Sequence, residues 1–395
     1  MKSNPGGQIS TDEAIGRGDL IERIWVTLEA QSIYMNAERR IGKTTILEIL
    51  KEKPKTGWFP SKRDLEGCHT AAQFAHAVYR DIDAFLGTGK KAMRRVSELF
   101  TKAGGTEIGG VFSLPEGKEA PWKEILEKSF QDLVDAQKET QTRIVFLWDE
   151  VPFMLDNIRN QEGDKMAMEV LDFLRYLRQT YRSIRMVLTG SIGLHHVVST
   201  LKVAKYANAP INDMAAVEVP PLAQEDGEQL ASLLLKGEGI VFDDLAAVSG
   251  ELARIADHFP YYIHHIVRTL KFSGKSVSKG QIDALVVCQL INENDPWELR
   301  HYRERITTYY GADEKVAVAV LDAVACSSKP IALEQIFKEV TASIVFRDLD
   351  HLRELLKLLQ KDHYICREGE GFGFKFPLIR RWWLLDRTLK IREII

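Results

Sequence analysis

The segment over residues 37–44, AERRIGKT, carries residue types that bind phosphate groups. It approximates the pattern G-x-x-x-x-G-K-[ST], which acts where a strand runs into a helix. A strand is predicted at residues 32–36 and a helix at 45–50, so the context fits. Backbone N–H groups at a helix start attract phosphate, Gly42 permits close approach of the backbone, and Lys43 adds a positive charge.

Two further positions in this segment matter for its chemistry. Thr44 offers a hydroxyl group as a ligand for Mg²⁺. Ala37 stands where the pattern has its first glycine, and alanine resists a positive φ. Either the loop does not need that conformation at Ala37, or it is slightly strained there.

An apolar run further along the chain, RIVFLWDE at residues 143–150, ends in two acids. Continuous rather than alternating hydrophobicity is typical of a buried parallel strand. Asp149 at its end is suited to orienting Mg²⁺, and Glu150 to activating a water molecule as a general base. Acids after a strand are also common helix caps, so this pair gains its meaning from the phosphate-binding segment.

A second strand with a polar end is predicted at residues 185–191, RMVLTGS. A polar residue at the tip of a strand beside the acidic strand can contact the γ-phosphate of a nucleotide. Thr189 and Ser191 both qualify, and simple capping of the strand end is the alternative for each.

The elements that must position these residues form an alternating pattern. Strands are predicted at residues 32–36, 57–60, 143–150, 185–191 and 216–219, with helices between them. Strands that alternate with helices indicate a parallel α/β sheet. We therefore predict a P-loop ATPase core over residues 13–222, with a glycine- and lysine-rich insertion at 87–120.

The rest of the chain has a different pattern of predicted secondary structure. Residues 223–310 read as helices only, which predicts a helical lid. Residues 311–395 combine three short helices with HYICREGEGFGFKF, whose alternation around glycines is typical of a β-hairpin. Three helices and a hairpin predict a C-terminal winged helix.

Composition bounds the class of protein. The chain has 395 residues, 28% charged residues and a formal net charge of −3. No apolar stretch approaches the roughly 20 residues that span a bilayer, so no membrane partner is expected. Its four cysteines are scattered without a CxxC pair, which argues against a zinc site or a disulfide framework. These features favour a cytoplasmic protein.

Taken together, these motifs resemble the AAA+/STAND side of the P-loop NTPases, closest to the archaeal-type ATPase branch related to origin-recognition ATPases. The resemblance rests on ERRIGKTT, FLWDE, VLTGS and VPPL, with FKFPLIRRWW near the C-terminus. It implies a sheet of order 5-1-4-3-2, a helical lid, a C-terminal winged helix, and ATP or ADP with Mg²⁺ between the sheet domain and the lid.

The resemblance also implies the residues that hold the nucleotide. These are Gly16, Arg17, Arg40, Ile41, Gly42, Lys43, Thr44, Thr45 and Pro260. Pro260 opens a lid helix, and the family often has glycine two residues before it. Here that position is His258, so the sequence departs from the family's pattern at this lid contact.

AAA+ rings place an arginine finger just before the fifth strand, but residues 192–222 contain no arginine. This resembles STAND switches, which hold nucleotide and hydrolyse it slowly or with a partner. The expected function is a nucleotide-dependent switch, regulatory or defence-related, with a protein partner or self-association.

Two alternatives stay open. The first is a DNA-binding, origin-recognition-like or DNA-remodelling ATPase, which the winged helix suggests. Residues 311–395 hold 14 Lys and Arg against 13 Asp and Glu, a balance of +1 that does not favour DNA. The second is a non-catalytic scaffold in which the nucleotide is structural.

Overall fold

The computed structural model describes residues 1–87, 106–108, 111–113, 121–190, 197, 209–273, 278–346 and 348–391. The chain divides into two compact units. The sheet unit comprises residues 18–39 and 43–219, and the helical unit comprises residues 1–17, 40–42 and 220–395. The predicted boundaries at 222 and 310 stay predictions.

The sheet unit is built on parallel strands. Its described strands are β1 (Ile33–Asn36), β2 (Trp58–Asp64), β3 (Thr106–Ile108), β4 (Val111–Ser113), β5 (Arg143–Asp149), β6 (Arg185–Leu188) and β7 (Ala215–Glu218). Five of them form one sheet in the order β2-β5-β6-β1-β7, with every pairing parallel. Counted within the sheet this is 2-3-4-1-5, which confirms the predicted fold class. Strands β3 and β4 form a separate antiparallel pair.

Helices connect these strands. They are α1 (Gly18–Ala30), α2 (Lys43–Glu52), α3 (Ala71–Leu86), α4 (Trp122–Thr140), α5 (Val151–Glu162) and α6 (Asp164–Thr180). Helix α5 was not predicted. Its second residue is Pro152, which is tolerated in the first turn because the N–H it lacks would have no partner there.

The centre of the sheet is apolar on both faces. In β5 every residue after the first is buried, which explains its uninterrupted hydrophobic run. Phe146 stacks on Phe130 of α4 at 5.6 Å between ring centroids, and Trp148 meets Phe74 of α3 edge-on at 5.3 Å. Burying each such ring contributes about 1.5–3 kcal/mol. These contacts pack β5 against α3 and α4.

The helical unit begins after β7. Its first helices are α7 (Gln224–Glu238), α8 (Leu245–Ile255), α9 (Pro260–Ser273), α10 (Lys279–Leu290) and α11 (His301–Tyr309). They are followed by α12 (Glu314–Cys326), α13 (Leu333–Ser343), α14 (Leu349–Lys361) and α15 (Pro377–Asp386). Strands β8 (Ile331–Ala332), β9 (Ile365–Glu368) and β10 (Gly371–Phe374) form an antiparallel sheet in the order β8-β10-β9. The predicted hairpin is β9–β10.

The polar residues at the N-terminus belong to this helical unit and contact its helices. The N–H and hydroxyl of Ser3 donate to Glu238 Oε1 at 2.7 and 2.6 Å. The N–H of Asn4 donates to His264 Nδ1 at 3.0 Å. Hydrogen bonds from Lys271 and Ser3 lower the pKa of Glu238 to about 2, and burial lowers the pKa of His264 to about 4. The N-terminal residues are therefore held by polar contacts, which a hydrophobicity pattern in the sequence does not reveal.

Some predicted features fall outside the described residues. Ser191 is one of them, and so is most of the predicted insertion at 87–120. None of the helices in the described ranges is both long and apolar enough to cross a membrane.

Candidate functional site

The phosphate-binding segment links β1 to α2 as predicted. Its left-handed residues are Arg40, with φ of 66°, and Gly42, with φ of 103°. Glycine reaches such angles without a steric penalty, whereas alanine does not. Ala37 is outside this set, so the loop does not need a glycine there. Alternation of right- and left-handed residues turns successive N–H groups to one side and creates a concavity for anions.

The side chain of Lys43 reaches back from the end of this loop to its start. Lys43 is the first residue of α2 and is 7% exposed. Its ammonium donates to the carbonyl oxygens of Ala37 and Glu38 at 3.2 and 3.0 Å. The ammonium is thus held against the backbone at the start of this loop.

Thr44 and Asp149 bring the loop and the acidic strand together. The Thr44 hydroxyl donates to Asp149 Oδ2 at 2.9 Å, although 105 residues separate them in sequence. Asp149 is buried, and its Oδ1 accepts the N–H of Glu150 at 3.1 Å. A hydroxyl and a carboxylate are oxygen ligands of the kind that Mg²⁺ prefers beside phosphate oxygens and water. This donor set fits Mg²⁺.

Glu150 and the end of β6 are also close together. The N–H of Val151 donates to Thr189 O at 3.1 Å, which joins the start of α5 to that strand end. A Cβ added at Gly190 would lie 3.4 Å from Glu150 Oε2. Thr189 is 2% exposed, and its hydroxyl has no hydrogen-bond partner among the residues that the structure describes. A buried unsatisfied hydroxyl costs about 1–3 kcal/mol, so it requires an explanation.

Gly16 and Arg17 lie in the helical unit. Gly16 has φ of 68°, and an added Cβ would lie 2.5 Å from the carboxylate of Asp226. The buried Arg17 guanidinium donates to Pro220 O at 2.9 Å and to Ile41 O at 2.8 Å. Burial lowers the pKa of Arg17 to about 10, and the charge of Asp226 opposes this shift. Arg17 therefore connects Ile41 and Pro220, which belong to the same unit as Arg17 itself.

The backbone conformation before α9 shows how His258 occupies a position where the family often has glycine. Helix α9 begins at Pro260, as predicted. His258 has φ of 57° and Asp257 has φ of 49°, so two successive left-handed residues precede the helix. This conformation accounts for a glycine preference at position 258 and costs about 1–3 kcal/mol per residue otherwise. The backbone turn is retained without glycine.

Arg40 makes contacts that sequence reasoning missed. Its guanidinium pairs with Glu298 and lies 4.7 Å from the ring centroid of Tyr261, near the start of α9. The side chains of Arg40 and Glu298 are 26% and 44% exposed, so their ion pair contributes at most about 1 kcal/mol to stability. No local pattern could have indicated these partners, because they follow Arg40 by more than 200 residues.

The structure brings several of the predicted site residues together. Thr44 contacts Asp149, Glu150 lies beside the end of β6, and Arg17 contacts Ile41. Thr45 lies in the first turn of α2.

The fold resembles solved ATPase structures over nearly its whole length. A Walker-type ATPase of Pyrococcus abyssi superposes with a TM-score of 0.61 at 16% identity, covering 94% of this chain and 96% of that one. The ORC2 protein of Aeropyrum pernix, solved in ADPNP–ADP complexes, gives a TM-score of 0.55 at 11% identity, covering 97% and 94%. No protein-family model matches the sequence, and a comparison with curated proteins finds no match. The chain thus has the fold of P-loop ATPases.

Proposed function

We propose that this chain is an ATP-binding ATPase of the AAA+/STAND type that acts as a nucleotide-dependent switch, with slow or partner-stimulated hydrolysis. The observation that carries the proposal is the hydrogen bond between Thr44 and Asp149. It joins the phosphate-binding loop to an acidic strand end, which is the arrangement that binding and hydrolysis of Mg-ATP require.

Each residue of the sheet unit then has a defined task. Lys43 and the N–H groups around Gly42 bind the β- and γ-phosphates. Thr44 and Asp149 would hold Mg²⁺, which when bound would neutralise negative charge on the phosphates. Glu150 accepts a proton from the attacking water, and the Thr189 hydroxyl donates to the γ-phosphate. This last task explains the unsatisfied hydroxyl of Thr189.

The helical unit supplies the switch in this proposal. Gly16, Arg17 and Pro260 are proposed to contact the adenine base. Helices α12–α14 and the β9–β10 hairpin are proposed to form a winged helix. A change in the nucleotide would alter the contacts of this unit, in the manner of order or hinge switches. The output is proposed to be regulatory or defence-related and to require a protein partner or self-association.

DNA binding remains the alternative output, and the charges of α14 do not favour it. Arg353 pairs with Asp350 at 2.5 Å and Lys357 with Glu354 at 2.7 Å, each one turn apart. Acids that neutralise these cations leave little charge for phosphate contacts. The proposed winged helix is therefore better suited to contacts with protein.

The test measures nucleotide content and turnover of the purified full chain. The protein is denatured, released nucleotide is identified, and ATP hydrolysis is followed across protein concentrations with and without DNA. Lys43→Ala and Glu150→Gln are compared with Lys51→Ala, which removes an exposed lysine from the last turn of the same helix. We expect bound nucleotide and slow turnover that Lys51→Ala retains and Glu150→Gln loses.

The other outcomes separate the alternatives. Turnover that DNA stimulates in a salt-sensitive way would favour the DNA-remodelling ATPase. Bound nucleotide with turnover no higher than in Glu150→Gln would indicate a structural nucleotide. The proposal would be contradicted if the wild-type protein neither bound nor hydrolysed nucleotide and Lys43→Ala behaved in the same way in both measurements.

A further inference from the structure

We infer that Glu298 and Tyr261 are positioning residues for the phosphate-binding loop: they hold the guanidinium of Arg40 and thereby keep the loop's N–H groups aimed at phosphate. The inference rests on the proposed nucleotide binding and deepens it. Neither residue needs to touch the nucleotide, because both act through Arg40.

The conformation of Arg40 makes this contact important. Arg40 is left-handed, and a non-glycine residue in that region persists only where its surroundings impose it. The same turn of the backbone helps to aim successive N–H groups to one side. Arg40, Ile41 and Gly42 belong to the same compact unit as Tyr261 and Glu298. The contacts of the Arg40 side chain are therefore suited to holding the anion-binding conformation.

The residues next to Glu298 in the chain hold its backbone in place. Trp297 beside it is 1% exposed and lies 5.7 Å from Tyr262 between ring centroids. Asp295 accepts the N–H groups of Leu299 and Arg300 at 2.8 and 2.9 Å and so shapes the turn that carries Glu298. A carboxylate on such a turn loses little freedom when it binds Arg40, as a positioning group requires.

Tyr261 presents a ring to the same guanidinium. It is 9% exposed, and His265 packs on it at 4.4 Å between ring centroids. Burial, aided by the charge of Arg40, lowers the pKa of His265 to about 4, so the imidazole is neutral and does not repel the guanidinium. Arg40 thus lies between an aromatic face and a carboxylate, both attractive.

The ligand class follows from the loop that Arg40 shapes. Its N–H groups recognise phosphate and not the sugar or the base. Loss of the Arg40 contacts is therefore expected to weaken binding of ligands that contain a pyrophosphate group, and to leave binding of adenosine alone unaffected.

The experiment titrates the full chain by calorimetry at low salt with ADP, inorganic pyrophosphate and adenosine. Glu298→Gln is compared with Glu314→Gln, which removes the same charge from the Arg303 pair, whose side chains are similarly 33% and 31% exposed. Tyr261→Leu removes the aromatic face, and Tyr261→Phe keeps it. Thermal unfolding without ligand verifies that every variant is folded.

We expect Glu298→Gln and Tyr261→Leu to raise the Kd for ADP and for pyrophosphate about fivefold. Glu314→Gln and Tyr261→Phe should stay near the wild-type value, and adenosine binding should be equal throughout. Unchanged or tighter ADP binding by Glu298→Gln would overturn the inference, and so would an equal loss for adenosine. If wild type and Lys43→Ala both fail to bind ADP and pyrophosphate, the proposed function itself fails and the inference falls with it.

Discussion

The imidazole of His258 occupies the space that a side chain at Gly227 would need. A Cβ added at Gly227 would lie 2.7 Å from His258 Nδ1. Gly227 is in the first turn of α7, and His258 precedes α9. The left-handed histidine before Pro260 is thus accommodated by a glycine on the neighbouring helix. The two positions form a matched pair that joins α7 to the entry of α9.

This pair predicts a change of sign in a double-mutant cycle. Gly227→Ala alone should lower the free energy of unfolding by about 1–2 kcal/mol, because the clash with His258 exceeds the gain in helix propensity. In a His258→Gly background the same substitution should instead raise it by up to about 1 kcal/mol. Urea unfolding of the four proteins measures this, and additive effects would contradict the pairing.

Asp257 predicts a dependence of stability on pH. Leu378, the second residue of α15, donates its N–H to Asp257 Oδ2 at 2.7 Å. Burial nevertheless raises the pKa of Asp257 from 3.8 to about 7. The native state therefore holds a proton that the unfolded state releases, so this contribution to stability is complete below pH 4 and is lost as pH rises to 7.

Asp257→Asn removes this titration and keeps an oxygen that accepts the Leu378 N–H. Relative to wild type, the variant should gain stability between pH 4 and 7, by at most about 4 kcal/mol, with no further change above. Denaturant unfolding across this range measures the gain. Asp283→Asn is the control, because the hydrogen bonds from Arg381 lower the pKa of Asp283 and predict the opposite sign. A constant difference between Asp257→Asn and wild type would disprove the linkage.

The sheet and the positions of the acids at the end of β5 could be predicted because their signals are local. Strands β5 and β6 are short apolar runs, and the acids and the polar residues lie directly at their ends. The contacts of Arg40 could not be predicted, because Glu298 lies on a turn 258 residues away and no periodicity relates the two. Helix α5 was not predicted, and the contacts of the N-terminal residues gave no sequence signal because they are polar.

The contact between Thr44 and Asp149 predicts a magnesium-dependent loss of affinity. Thr44→Val keeps the shape of the side chain and removes the hydroxyl that donates to Asp149 Oδ2. Affinity for ATP with Mg²⁺ should fall about tenfold or more, while affinity in EDTA should be unchanged. Thr44→Ser, which retains the hydroxyl, should resemble wild type in both conditions. Equal losses with and without Mg²⁺ would contradict the proposed role of Thr44 as a ligand of Mg²⁺.

We expect Thr189→Val to raise the free energy of unfolding and to lower ATP turnover. The Thr189 hydroxyl is buried and has no partner in the described part of the chain, so Thr189→Val exchanges an unsatisfied polar group for an apolar one of the same shape. The free energy of unfolding should rise by about 1 kcal/mol. If this hydroxyl donates to the γ-phosphate during hydrolysis, ATP turnover should fall about a hundredfold while ATP affinity stays within about threefold.

Thr189→Ser is the matched control for this prediction, since it keeps the hydroxyl and removes only a methyl group. It should retain most of the turnover and lose about 1 kcal/mol of stability through the missing packing. Parallel urea unfolding and single-turnover hydrolysis separate the two effects. A Thr189→Val protein that is more stable and fully active would show that the hydroxyl is only a tolerated defect at the strand end. One that is more stable and inactive would show that this chain maintains an unsatisfied group because hydrolysis needs it.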